Sequence, residues 1–162
     1  MLVMKNELLI LGIGNYLMGD EGVGVHFVRT LEHDPWPEGV KILDGGTAGF
    51  QLMEDLESYS TVIMVDATLD DHPPGTIRLI KPRFAHDFPK AMSTHEIGLK
   101  DLVEALSLLD RLPRIFLFVV SVEKIQPLSI ELSTPVEGAL LQLRGQVDSL
   151  LDRLGIVATI PV

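Results

Sequence analysis

Apolar residues fall along the chain in two alternating patterns. Short apolar runs mark buried strands at Glu7–Ile13, Val40–Leu43, Thr61–Val65 and Ile115–Val122. Between them, apolar residues recur at helical spacing. Val23, Phe27 and Leu31 form one face of a helix over Gly22–Leu31, and Phe50, Met53 and Leu56 one face of a short helix over Gly49–Leu56. Leu99, Leu102, Val103, Leu106 and Leu109 stripe a third helix, with Ser93 and Glu96 spaced as a capping box at its start. A last helix runs from Pro135, which suits a first-turn position, to Leu154, with Ala139, Leu140, Leu143, Val147 and Leu150 on its apolar side. Thr76–Lys81 alternates after the Pro73-Pro74-Gly75 turn and reads as an edge strand, and the polar stretch containing Pro82 and Pro89 reads as a loop.

The order β-α-β-α-β-β-α-β-α predicts a single α/β domain over residues 1–162. Its architecture is a three-layer sandwich, with a mostly parallel twisted sheet covered by helices on both faces and one antiparallel edge strand. No repeat, low-complexity tract or linker interrupts it. Ligands of such sheets lie beyond the carboxyl ends of the strands. That rule selects the segments after Ile13, Leu43 and Val65.

Composition narrows the function classes. A chain of 162 residues with 46% hydrophobic and 22% charged residues is globular. A formal net charge of −10 repels phosphate backbones and anionic lipid, so neither nucleic acid nor membrane is an expected partner. Leu8–Ile13 is too short for a membrane helix and lacks the flanks of a signal peptide. The absence of cysteine excludes a disulfide scaffold, a thiolate zinc site and a cysteine nucleophile, and fits a cytoplasmic location.

The first selected loop reads Gly12-Ile13-Gly14-Asn15-Tyr16-Leu17-Met18-Gly19-Asp20-Glu21-Gly22. A dinucleotide fingerprint is disfavoured, because Leu17 stands where its third glycine belongs and two carboxylates lie where a pyrophosphate would meet the helix. The helix dipole instead favours ionised Asp20 and Glu21, which suits metal binding; alternatively Asp20 caps the helix and Glu21 is a first-turn acid. The second loop, Asp44-Gly45-Gly46-Thr47-Ala48-Gly49, lets backbone approach a ligand or another loop, with Thr47 or Asp44 as a helix cap in the plainer reading. Asp66 follows a buried run, either as a ligand or as a turn former. Among five histidines, His95 sits where the polar loop meets the third helix; a surface or capping role competes with a ligand role. There is no G-x-S-x-G elbow and no two-histidine zincin helix. Glu21, Asp66 and His95 would together supply two oxygens and a nitrogen, a set that accepts zinc, nickel, manganese or cadmium with positions left open.

The ordered motifs Gly12-x-Gly14-Asn15, Asp20-Glu21-Gly22-Val23-Gly24, Asp44-Gly45-Gly46-Thr47-x-Gly49, Asp66-Ala67 and Ser93-x-His95-x-x-x-Leu99 cover nearly the whole chain. With Ile125-Gln126-Pro127 and Glu131-Leu132-Ser133, they resemble the hydrogenase maturation endopeptidases, which trim the large subunit of [NiFe] hydrogenases. One departure is Ser121-Val122-Glu123-Lys124, since relatives often carry a glycine just before the position of Gln126. The resemblance implies that Glu21, Asp66 and His95 bind the metal, and that Asp44 with Glu21 and Asp66 serves catalysis. It further implies that Asp44, Gly45, Gly46 and Thr47 meet the substrate. The expected activity is one cut near the C-terminus of the large-subunit precursor after nickel loading. Nickel would be presented by the substrate, with cadmium or zinc as substitutes. A generic zinc-type metallopeptidase and a non-catalytic nickel-checkpoint module are the competing readings, and aspartyl-type or metal-dependent hydrolysis both remain open.

Overall fold

The computed structural model describes residues 6–88 and 97–156. Among the described residues five strands are ordered β2-β1-β3-β5-β4. They are β1 (Asn6–Ile13), β2 (Val40–Gly46), β3 (Tyr59–Leu69), β4 (Ile77–Ile80) and β5 (Arg114–Val122). All neighbours are parallel except the β4–β5 pair. The helices are α1 (Val23–Leu31), α2 (Met53–Ser58), α3 (Ile97–Leu108) and α4 (Thr134–Arg153), so the expected α/β sandwich with an antiparallel edge strand is what forms.

Strand alternation divides the core between the two faces. Leu8, Ile10, Ile63, Val65, Phe116 and Phe118 pack with Phe27 of α1 and Leu143 of α4. Leu9, Leu11, Val62, Met64, Ile115 and Leu117 pack with Leu56 of α2 and Leu102 of α3. These strands are apolar on both faces because both faces are covered. Among the described residues no helix is long and apolar enough to cross a membrane.

Several boundaries differ from the expected ones for identifiable reasons. β3 does not stop at Val65, because β5 continues to pair with it from Asp66↔Val119 to Leu69↔Val122. β2 continues past Leu43 to Gly46, with a register irregularity between Gly12 and Ile13 of β1. The capping box at Ser93 and Glu96 lies outside the described residues. Leu109 falls beyond the end of α3 and is 57% exposed, not part of the apolar stripe.

The chain passes from β1 outward to β2, then returns across β1 to β3. The order therefore reverses between β1 and β3, the position at which open α/β sheets leave a crevice. α1 begins against that point. A Cβ on Gly24 would lie 2.1 Å from Val65 O and 2.5 Å from Ile13 O, so only glycine allows this approach.

Gly24→Ala should therefore force backbone apart and cost about 2 kcal/mol. For a chain of this size the melting temperature should fall by roughly 4–8 °C. Gly138, within α4, faces open space: a Cβ there would meet nothing within 4 Å. Gly138→Ala should accordingly stabilise by up to about 1 kcal/mol through helix propensity. Thermal unfolding checks both; equal effects would contradict the packing described.

Asp70, just past β3, gives a pH prediction. Burial disfavours its charge, but the His72 backbone N–H and the Arg78 guanidinium outweigh that cost and hold its carboxyl below the ordinary range. A depressed folded value means stability that is present above the unfolded value of about 3.9 and lost as pH falls through the folded one. Asp70→Asn should lower stability near neutrality and flatten the acid limb of stability against pH, measured by urea unfolding at a series of pH values.

Candidate active site

β1 leads through residues 14–18 into a single 3-10 turn, Gly19–Gly22, which carries Asp20 and Glu21 before α1 begins. Both carboxylates are 2% exposed. Asp20 does not cap its own helix, contrary to one expectation, since neither that turn nor α1 has a side-chain cap. Its carboxylate faces the opposite way. Oδ1 accepts from the Ser133 backbone N–H at 2.7 Å, and Oδ2 accepts from Ser133 Oγ at 2.7 Å and from Gln126 Nε2 at 3.1 Å. Glu21 lines a narrow crevice with Ala67 and Leu69 of β3, Val122 of β5, and Ile125.

Asp66 is fully buried, at 0% exposure, and Oδ1 accepts from the Ala67 N–H at 2.7 Å. It is a residue within β3, not one that ends the strand. Alternation places Asp66 on the α2–α3 face with Val62 and Met64, and Ala67 on the α1–α4 face. Glu21 thus sits against the neighbour of Asp66 in sequence, at the point where β1 stops and β3 continues. Thr68 and Ser121 pair across β3 and β5 and are buried at 1% and 0% on the face of Asp66, giving that end of the sheet a polar floor. His95, the expected nitrogen donor, lies outside the described residues. Among the described residues no three His, Asp or Glu side chains are grouped to hold a metal ion.

Asp44 occupies the carboxyl end of β2 and is exposed. It pairs with Gly12 of β1, and Gly12 pairs on its other side with Val65. Two strand spacings, about 10 Å, therefore separate the backbone of Asp44 from that of β3. Between Asp44 and Gly46 the β2 register slips by one residue, a bulge that Gly46 accommodates with a φ of 51°. The Gly46 N–H donates to Asp44 Oδ1 at 3.0 Å, and Arg29 Nη2 to Oδ2 at 3.4 Å. Arg29 lies 4.0 Å from the centre of the Tyr16 ring, which in turn stands 4.7 Å from the His26 ring. Neither Asp44 nor Thr47 caps the next helical turn, Phe50–Leu52, whose N-terminal cap residue is Gly49 without a side-chain bond. Thr47 is exposed and Gly45 buried, close to Leu11 and Gly12 of β1. The close backbone approach made by these glycines is thus to β1.

Sequence reasoning did not assign the partners of Asp20. Gln126 and Ser133 stand within motifs that carried the resemblance, but their separations of 106 and 113 residues from Asp20 leave no local pattern to read.

Comparison with known proteins bears on the family and the fold. Residues 25–148 match the family model described as hydrogenase maturation protease. The hydrogenase 2 maturation protease of Escherichia coli K12 is 34% identical over 156 residues, covering 94% of this chain and 94% of that protein. The hydrogenase expression/formation protein HoxM of Azotobacter vinelandii is 35% identical, over 94% of this chain and 75% of its own length. Among solved structures, the hydrogenase maturating endopeptidase HybD from Escherichia coli superposes with a TM-score of 0.85 at 34% identity, covering 93% of this chain and 94% of the other. HycI of Thermococcus kodakarensis, at 20% identity and a TM-score of 0.73, shares the fold. The chain belongs to the hydrogenase maturation protease family and is an endopeptidase of hydrogenase maturation.

Proposed function

We propose that this peptidase removes a C-terminal extension from the nickel-loaded precursor of a [NiFe]-hydrogenase large subunit, in the cytoplasm, and that nickel held by the precursor is its recognition element. The observation that carries this reading is the presence of two buried carboxylates at the β1–β3 end of the sheet, Glu21 in the crevice before α1 and Asp66 in the adjoining stretch of β3. The donor chemistry fits. Carboxylate oxygens, joined by an imidazole from His95, suit borderline divalent ions such as nickel or zinc, with cadmium also accepted. A chain without cysteine leaves thiolate ligands to the substrate. An incomplete donor set is suited to complete the coordination of an ion that another protein already holds.

In this reading Glu21, Asp66 and His95 bind the nickel-bearing end of the precursor and orient it. Nickel at this place would supply polarisation of a carbonyl or of an attacking water. The exposed Asp44 and the bulge at Gly45 and Gly46, with Thr47 beyond, lie on the same carboxyl edge and would meet the polypeptide that crosses it. Asp44, held only loosely by Arg29, is placed to accept or return a proton during hydrolysis.

Mass measurement after incubation with nickel-loaded precursor should show one C-terminal truncation, absent with nickel-free precursor. Cleavage of generic peptides with resident zinc would point to a plain metallopeptidase, and nickel-dependent association without cleavage to a checkpoint module. Asp44→Asn keeps an oxygen for the Gly46 N–H and gives up only an exposed ion pair, so stability should change by no more than about 0.5 kcal/mol. Cleavage should fall by about 100-fold or more, on the scale of a lost general acid or base. Nickel affinity, measured by calorimetry, should be largely retained; equal loss of cleavage and affinity would place Asp44 among the ligands.

A further inference from the structure

Asp20 is a buried carboxylate to which neither metal binding nor cleavage assigns a role. It sits one residue before Glu21 in a turn of four residues, 2% exposed. Its polar contacts lead to one distant segment. The Asp20 N–H donates to Gln126 Oε1 at 3.0 Å while Gln126 Nε2 returns a bond to Oδ2 at 3.1 Å, so the two residues are joined in both directions. Ser133 contributes its backbone N–H and its hydroxyl, each at 2.7 Å. Next to these, the Gly19 N–H donates to Ser129 O at 2.7 Å and the Ser129 N–H to Leu17 O at 2.9 Å. The turn that carries Glu21 is thus laced to residues 126–133 on one side, while Glu21 faces β3 on the other.

The arrangement departs from ordinary helix capping. Ser133 is the N-terminal cap residue of α4, yet its side chain makes no cap bond to that helix. The hydroxyl goes to Asp20 instead, so the negative charge of Asp20 stands at the amino end of a 20-residue helix. α4 in turn is anchored through Val136, Ala139, Leu143 and Val147 in the core. The turn is therefore fastened to the amino end of a helix that is packed on the core.

We infer that Asp20 is a positioning residue: it fixes the Glu21 turn against α4, and so sets where the Glu21 carboxylate is presented at the β1–β3 crevice. This rests on Glu21 acting at the metal, as proposed above. Groups that orient a ligand through its own backbone or side chain set affinity and rate, and their loss costs on the order of 10–100-fold.

Asp20→Asn keeps the size of the side chain but replaces an acceptor oxygen with a donor facing Ser133 or Gln126. Titration of the full chain with nickel ion alone, at a temperature well below unfolding, should show an affinity about 10–100-fold weaker. With nickel-loaded precursor, KM should rise by a similar factor, since nickel is the recognition element, while kcat changes less. Ser133→Ala, which removes only the hydroxyl bond, should shift both in the same direction by a few-fold and serves should Asp20→Asn fail to fold. Glu21→Gln is run in parallel and should lose nickel binding. A lowered melting temperature with unchanged nickel affinity and KM in the folded Asp20 or Ser133 variant would overturn the positioning role and leave the Glu21 site standing. Unchanged nickel affinity in Glu21→Gln would overturn the site itself, and the inference with it.

Discussion

The close seating of the 12–24 segment on the ends of β1 and β3 is the constraint on which the rest of the site depends. Gly24 brings the start of α1 against the carbonyls of Val65 and Ile13, closer than any side chain allows. From that contact follow the burial of the turn before α1 and the placement of Glu21 beside Ala67. Asp66 stands at the same end of the sheet, on its other face, because β3 outlasts β1 and is held there by β5. Hydrophobic burial fixes the strands, and backbone geometry fixes the turn. The carboxylates are carried to the switch point by both.

Two kinds of acid occupy this edge, and their surroundings separate their uses. Asp20 is buried and engaged by four hydrogen bonds, three to its carboxylate and one from its own N–H. Asp44 is exposed, on an edge strand, with an Arg29 contact that is long for an ion pair at 3.4 Å. A buried acid engaged in this way holds structure, whereas an exposed and loosely tethered one is available to a passing substrate. The two carboxylates thus stand in opposite surroundings on one edge of the sheet.

Much of this was legible in the sequence because strand and helix periods are local. The apolar runs at Leu8–Ile13 and Ile115–Val122 read as strands buried on both faces and the Leu143–Val147–Leu150 stripe as one side of a helix, and that is what they form. The end of β3 was not legible. Asp66, Thr68 and the small Ala67 look like a strand terminus, and only pairing with β5, roughly fifty residues further on, keeps them in the sheet. The role of Asp20 was hidden for the same reason, since its partners arrive from Gln126 and Ser133. An acid at the start of a helix reads as a cap unless the tertiary fold supplies something stronger. Asp44 was placed correctly at a strand end, but the bulge that follows it depends on a register slip that no single strand encodes.

The most direct measurement is the anomalous scattering from crystals of the chain soaked in nickel or cadmium. A peak between the carboxylates of Glu21 and Asp66, with His95 as a further ligand, is the predicted result. A peak elsewhere, such as at His26 and Glu137 near the start of α4, with none between Glu21 and Asp66, would contradict the proposed site.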